Sequence, residues 1–449
     1  MKYWGFIVAL GLFIGMAAGV QAQEDALHSL VLSEIEERIA GKLAFSSLQR
    51  ALVDAGVTVA QDETLTKIGL DLARYSDRPQ LNYAFYVIDG AIEPQAISLP
   101  GGYVLITRNL LNAVCHDDSD IAFILGHEIA HSALRHYADY KLQDGQQVAH
   151  VRQLLQHSQN AHAEPQAADA DELQNILLPY IMKVRQVKEM EADQFGALYA
   201  LRAGYRYAAS MNVLTRLREQ FGEEFELENT GTAANAEQMS THPTLAARVE
   251  QLELFRLKAI EVSKLFPSGR KALDDGNYEE AALVFESILS LFPQSRTARI
   301  GLGVARHLKY WDSSQGTDFL LAYPGMLELE HLQLLRGQPD YQTLQQAVDA
   351  YRQVLEAEPG NKYATNNLGV ALAELRQIAE SETVLREAIR LDAQDFMFFN
   401  LALILRVQYN QTRKPEQKEE AMQLLKRYLR IAPSDAVALK YLQELEQLP

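Results

Sequence analysis

Apolar residues recur at helical spacing through residues 24–75, as Leu27, Leu30, Leu32 and Ile35, then Leu48 and Leu52, then Leu65, Ile68, Leu70 and Leu72. From Leu81 to Ile88 the period changes and Tyr, Phe and Val dominate, which predicts a strand. Two further apolar runs, Ala96 to Leu99 and Tyr103 to Thr107, flank Pro100-Gly101-Gly102 and predict a tight hairpin. Helical spacing returns from Asn109 to Val114 and from Asp118 to Tyr137, with Asp117 to Asp120 offering caps and N-terminal negative charge. The first part of the chain is therefore expected to be an α+β domain with a small sheet. From Gln143 to Asp171 little apolar period remains beyond Val151, Leu154 and Leu155, so about 142–182 reads as a lid or surface excursion. An apolar run around Pro179 then leads into a helix ending near Ala203 and Gly204. Another helix follows through Met211, Leu214 and Leu217, and Glu223 to Gln238 is polar enough for a loop.

Past residue 258 the pattern repeats. Ala281, Phe285 and Pro293 stand at offsets matched by Ala347, Tyr351 and Pro359, by Ala421, Leu425 and Pro433, and more weakly by Ser381, Leu385 and Ala393. Ser381 follows Ala347 by one tetratricopeptide period, about 34 residues. Each unit is a helix pair in which a small residue admits the partner helix, a large one fills the groove and proline ends the second helix. Ala281 and Ala347 are separated by nearly two such periods, so a degenerate unit around Trp311 is expected between them. An insertion is expected near Asn410 to Arg413. An all-α solenoid over 259–449 presents a concave binding surface rather than a catalytic centre.

Composition narrows the function. With 42 Lys and Arg against 59 Asp and Glu, the net charge of −17 repels phosphate backbones and anionic lipid, and no basic patch argues for nucleic acid. A lone cysteine, Cys115, excludes an intramolecular disulfide, a cysteine zinc site and an iron–sulfur cluster, and reads as a small buried hydrophobe. Lys2, an apolar stretch from Tyr3 to Val20 and the small residues of Val20-Gln21-Ala22 form a secretory signal peptide over 1–22. Uncleaved, such a stretch approaches the roughly 20 residues of a membrane anchor. The expected location is the periplasm, with membrane association peripheral at most.

The chemistry concentrates in Gly126-His127-Glu128-Ile129-Ala130-His131, inside the apolar helix from Ile121 to Leu134. At about 100° per residue, His127 and His131 project from one face one turn apart, as two ligands of a tetrahedral Zn²⁺ require. Glu128 lies beside the first ligand and is placed to act as general base toward water without ligating the metal itself. Chance alone supplies this pattern roughly 0.04 times in a chain of such composition. Leu134 and Tyr137 stand where a metzincin has glycine and histidine, which excludes that subclass. His136, about 140° round an ideal helix from His131, is assigned to packing or capping. The third ligand is sought on a later helix, in Lys188-Glu189-Met190-Glu191-Ala192-Asp193. Glu189 and Asp193 share a face, so Glu189 is assigned to the metal, with Glu191 as the alternative. Asp193 is placed to accept the outer ring N–H of a ligating histidine.

These residues resemble the HtpX/BepA/Oma-type gluzincin peptidases over roughly 44–258. The likeness rests also on Ser76-Asp77-Arg78-Pro79, the hairpin from Ala96 to Tyr103, Arg135-His136, Glu189-x-x-Ala192-Asp193, and Thr241-His242-Pro243 followed by Arg248. The signal peptide and repeats are most similar to the BepA-like periplasmic branch. The resemblance implies a zincin-type α+β metallopeptidase domain over 23–258 and one Zn²⁺ per chain, held by His127, His131 and Glu189. It also implies that His242 lies near the zinc as a switch or fourth ligand, and that Arg248 pairs with active-site carboxylates. Misfolded or unassembled envelope proteins would be the substrates, and the repeats would dock to the outer-membrane assembly machinery. The hairpin after Gln95 would offer an edge strand to extended substrate. The alternative is a periplasmic chaperone or assembly scaffold with a largely latent protease site.

Overall fold

Ser33 starts the first helix with a capping box, its hydroxyl accepting from the Glu36 amide while the Glu36 carboxylate accepts from the Ser33 amide. In the computed structural model, which describes residues 28–136, 139–142, 145–160, 172–173, 188–222, 244–313, 318–323, 326–329 and 340–448, that helix is α1 (Glu34–Asp54). The chain divides into two units, Met1–Ile260 and Glu261–Pro449. The proposed signal peptide lies outside the described residues, and no helix among them is long and apolar enough to cross a membrane.

The first unit is built on a four-stranded sheet. It comprises β2 (Thr58–Gln61), β3 (Ala84–Asp89), β4 (Ala96–Leu99) and β5 (Tyr103–Thr107), in the order β2-β3-β5-β4. β3 and β5 run parallel with Tyr86 opposite Leu105, while β4 closes the hairpin antiparallel with Ile97 opposite Leu105. The hairpin follows the expected pattern: Gly101 and Gly102 take the positive φ values that its tight turn demands. Residues 24–75 are not purely helical, however. Strand β1 (His28–Val31) pairs with β6 (Asp139–Leu142), and β2 intervenes between α1 and α2 (Glu63–Ala73). These strands are four residues long, too short for apolar alternation to register.

Thr107 caps α3 (Arg108–Val114), and Asp117 caps α4 (Asp118–Ala133) by accepting from the Ser119 and Asp120 amides. The apolar face of α4 is wholly buried through Ala122, Ile124, Leu125 and Ile129. Within the stretch expected as a lid or excursion, residues 145–160 form a helix, α5 (Gly145–Asn160), with Val151, Leu154 and Leu155 at i, i+3 and i+4 all buried on one side. Then come α6 (188–202), α7 (Ala208–Phe221) and α8 (Leu245–Asp274).

The second unit begins in the last part of α8 and stacks helix pairs. Its helices are α9 (Tyr278–Leu291), α10 (Arg296–Ser313), α11 (Tyr341–Ala357), α12 (Lys362–Glu374), α13 (Ile378–Leu391), α14 (Asp395–Thr412), α15 (Pro415–Tyr428) and α16 (Ala436–Gln447). Trp311 does not belong to the separate degenerate unit expected around it. A Cβ on Gly369 of α12 would meet Leu385 of α13 at 2.7 Å, and one on Gly303 of α10 would meet Tyr351 of α11 at 2.5 Å. The two contacts are equivalent, yet the first bridges helices joined by a short turn and the second bridges helices parted by the whole stretch from Ser313 to Tyr341. Trp311 is therefore in the first helix of an intact repeat, with an insertion placed before its second. The insertion carries a small antiparallel pair, β7 (Leu321–Tyr323) and β8 (Met326–Leu329).

Candidate metal centre

Three donors converge at the C-terminal half of α4. The two imidazoles, separated by one turn, place Nε2 of His127 and Nε2 of His131 3.2 Å apart, with ring planes at 65°. Glu189, in the first turn of α6, sets one carboxylate oxygen 3.3 Å from Nε2 of His127 and the other 3.5 Å from Nε2 of His131. All three groups offer ligand atoms within 4.8 Å of one another. Tetrahedral ligands at zinc bond lengths of about 2.0–2.1 Å stand about 3.3 Å apart, so the donor set has the right spacing for that ion. The tautomers agree with this. Nδ1 of His127 is 2.9 Å from a carboxylate oxygen of Asp193, which only accepts, so the ring proton sits there and the Nε2 lone pair faces the shared point. Two imidazole lone pairs and a carboxylate aimed at one spot repel unless a cation or a proton lies between them.

What presses α6 against α4 at this level is a pair of glycines. A Cβ on Gly126 would meet the Gly196 carbonyl at 2.6 Å, and one on Gly196 would meet the His127 amide nitrogen at 2.5 Å. Backbone therefore touches backbone beside the ligands. Gly196 lies two turns beyond Glu189, on the same helical face, and that spacing opposite Gly126 is the signal that sequence reasoning passed over.

The surroundings lock the donors. Arg248, near the start of α8, is buried and grips Asp193 with two bonds of 2.7 Å while its third nitrogen lies 3.1 Å from Glu189. Burial alone would raise the pKa values of Asp193 and Glu189. Arg248 and His127 more than offset it: Asp193 is held below its ordinary range and Glu189 well below. Burial pulls His127 down, but the neighbouring Glu189 and Asp193 carboxylates bring the metal-free ring up to about 9. His131 stays well below the ordinary histidine value, because burial, aided by its neighbours His127 and His136, outweighs the hydrogen bond to Glu189 that would raise it. Glu128 is buried next to His127, within electrostatic reach of Arg248.

His136 is not merely packed to one side. The helix ends at Ala133 and Arg135 adopts a left-handed φ of 55°, so the chain turns back and the His136 amide bonds the His131 carbonyl at 3.0 Å. Nδ1 of His136 then lies 3.0 Å from Nδ1 of His131, on its outer side. Glu191 stands 3.6 Å from His136 and 2.7 Å from Lys188, behind this ring rather than among the donors. A buried ion cluster fixes the same helix end. Arg78 donates to Glu37 at 2.8 Å and to the Ser132 carbonyl at 3.0 Å, and Arg135 donates to the Leu32 carbonyl. His242, expected as a switch or fourth ligand, lies outside the described residues, as does most of the segment following α5.

The chain was compared with known proteins. Residues 59–255 match the model of peptidase family M48, and residues 266–309 and 343–396 match a tetratricopeptide repeat model. The mitochondrial metalloendopeptidase OMA1 of Saccharomyces cerevisiae is 32% identical over 179 residues, which is 39% of this chain and 47% of the yeast protein. The human mitochondrial metalloendopeptidase OMA1 is 27% identical over 209 residues, 41% of this chain and 34% of that protein. The chain thus spans less than half the length of these curated relatives. Among solved structures, the thermophilic tetratricopeptide-repeat protein TTC0263 of Thermus thermophilus aligns with a TM-score of 0.31 at 17% identity, over 45% of this chain and 93% of that one.

Proposed function

We propose that this chain, a peptidase M48 domain joined to tetratricopeptide repeats, is a zinc-dependent endopeptidase of the cell envelope. It degrades misfolded or misassembled proteins, those of the outer membrane among them, while the repeats bind clients or a partner. The observation that carries the reading is the convergence of His127, His131 and Glu189 at tetrahedral spacing, with Glu128 on the adjoining position of the same helix. The curated relatives are named metalloendopeptidases. The signal-like stretch over 1–22 and the resemblance to the BepA-like branch support the periplasmic assignment.

A zinc ion held by the three donors supplies the Lewis acid that acidifies a water and polarises a peptide carbonyl. The protein's own groups do the rest. Glu128 accepts the proton of the attacking water and returns it to the leaving amine, while burial keeps bulk water from competing. Asp193 holds His127 in the tautomer that presents Nε2, and Arg248 keeps both carboxylates ionised and aimed. β4 is at the edge of the sheet beside α4, and its outer edge has no partner strand among the described residues. An extended substrate adding there is recognised through its backbone, which suits non-native chains. Activity and metal separate cleanly in the variant Glu128→Gln. It should retain zinc near one per chain and lose degradation of an unfolded protein by at least about 10²-fold. Undiminished degradation would remove Glu128 from the mechanism. Retained client assembly without degradation would favour the scaffold alternative.

A further inference from the structure

The inserted segment of the repeat unit sits on the first helices of the repeats in the manner of a bound peptide. Asn366 and Asn367 on α12 and Asn400 on α14 are fully buried, in helices whose other buried side chains include the apolar Ala373, Leu401 and Leu403. Asn366 and Asn400 stand one repeat period apart and bond each other at 3.0 Å. Asn366 also donates to the Asn367 side-chain oxygen at 3.1 Å, and the amides reach the main chain of the insert as well. The Leu320 amide donates to the Asn400 side-chain oxygen at 2.9 Å, while its carbonyl accepts from Asn400 at 2.8 Å and from Asn366 at 3.2 Å. Two residues on, the Ala322 amide donates to Asn367 at 2.9 Å and its carbonyl accepts from Asn367 at 2.7 Å. Asn400 and Asn367 thus each act as one residue of a neighbouring strand, reading alternate positions of an extended chain, with Asn366 linking the two.

The segment crosses several repeats. Asp318 bonds Tyr441 of α16 at one end, and Tyr323 packs against Phe285 of α9 at the other, ring centroids 6.0 Å apart. In between, every contact described above from the asparagines to the segment goes to its backbone, so nothing in it demands leucine or alanine by hydrogen bonding. Three buried amides are a poor choice for filling a core, because each costs free energy wherever its partner leaves unless another backbone takes its place. Apolar residues in their place would leave the buried Leu320 and Ala322 main-chain groups unpaired, so whatever lies on this face is held there through its backbone.

We propose that this face is a receptor for an extended, predominantly apolar polypeptide segment read through its main chain, and that residues 318–323 are its resident occupant. An incoming stretch of a non-native protein competes with that occupant for Asn366, Asn367 and Asn400, so the repeats are closed to partners until the resident strand is displaced. The inference rests on the reading of the repeats as a protein-binding surface and names both its ligand chemistry and its regulation.

The test uses the full chain and a labelled hexapeptide, Asp-Phe-Leu-Leu-Ala-Tyr, copied from residues 318–323. The double variant Leu320→Pro/Ala322→Pro removes both amide hydrogens donated to the asparagines and disfavours the resident strand. It should bind the peptide at least tenfold more tightly than the unaltered chain by fluorescence anisotropy. Adding Asn367→Ala and Asn400→Ala should abolish that gain. Absence of a gain, or a gain that survives loss of both asparagines, overturns the proposal. If the proline variant does not fold, hydrogen exchange on the unaltered chain decides. Leu320 and Ala322 amides should exchange at least tenfold faster than those of α12, reporting local release, whereas equal protection makes the strand a permanent core element and refutes the idea. Neither readout involves zinc or hydrolysis, so failure of the peptidase reading leaves this result intact.

Discussion

Gly196→Ala tests whether backbone contact between α4 and α6 sets the spacing of the donors. A Cβ at residue 196 would lie 2.5 Å from the His127 amide nitrogen, 2.6 Å from the Gly126 carbonyl carbon and 2.8 Å from the His127 Cα. All three are backbone atoms of a buried helix and none can swing aside. Ordinary contact begins near 3.4 Å, so α6 must retreat by about 1 Å, an overpacking that costs about 1–3 kcal/mol. Glu189 lies two turns away on the same face and moves with it. Its separations of 3.3 and 3.5 Å from the two imidazoles then grow beyond the tetrahedral edge of about 3.3 Å. Zinc affinity should fall on the order of 10–100-fold, the loss typical when a ligand's support is disturbed. Competition against a fluorescent zinc chelator measures the affinity, and thermal melts with and without zinc measure the stability. The sign is diagnostic, because helix propensity alone makes alanine better than glycine by about 1 kcal/mol. A variant that melts higher and binds zinc as tightly as the parent would show that the glycine pair does not position Glu189.

Metal binding should depend on pH through His127. Its folded, metal-free pKa of about 9 is above the ordinary 6.5, so the proton it holds stabilises the empty protein below pH 6.5, and that contribution is lost as pH rises through 9. Zinc displaces the same proton, so its affinity should rise about tenfold per pH unit across that window, with about one proton released. Calorimetry in buffers of different ionisation enthalpy counts it, and zero release at about pH 7.5 would contradict the assignment. Asp193→Asn keeps one accepting oxygen but adds an amide donor, so the His127 tautomer is no longer fixed, and it removes an anion that Arg248 grips. Equilibrium dialysis should show zinc affinity reduced about 10–100-fold with the fold retained by circular dichroism. Arg78→Ala takes the guanidinium from the buried Glu34 and Glu37 carboxylates, leaving Glu37 with Arg135 and the Gly101 amide at 3.5 Å, and frees the Ser132 carbonyl at the end of α4. Chemical denaturation should register a loss of about 3–5 kcal/mol, and a change below about 1 kcal/mol would mean the cluster contributes little.

The metal motif was legible because it is local. His127, Glu128 and His131 occupy one helix whose period dictates their common face, and Glu189 with Asp193 obeys the same rule on a second. His136 packs, as its assignment has it, but not at the angle an unbroken helix would give. The left-handed φ at Arg135 ends that helix, and the ring comes to rest against His131 instead. The repeats were legible by their spacing, yet the long gap between Ala281 and Ala347 was divided wrongly. Spacing counts residues, and only the contacts of Gly303 with Tyr351 and of Gly369 with Leu385 show whether the extra length makes a unit or interrupts one.

The amino-acid order by itself determined the two imidazoles, the place of Glu128 beside them, the shared face of Glu189 and Asp193, the hairpin turn and the tetratricopeptide period, each a matter of short-range geometry. Tertiary structure alone decided that Gly196 meets Gly126, that Arg248 spans Asp193 and Glu189, and that an inserted strand lies across Asn366, Asn367 and Asn400. Those meetings join residues many helical turns apart in the chain, a distance over which no periodicity carries information. Which backbones touch is chosen by how whole helices pack.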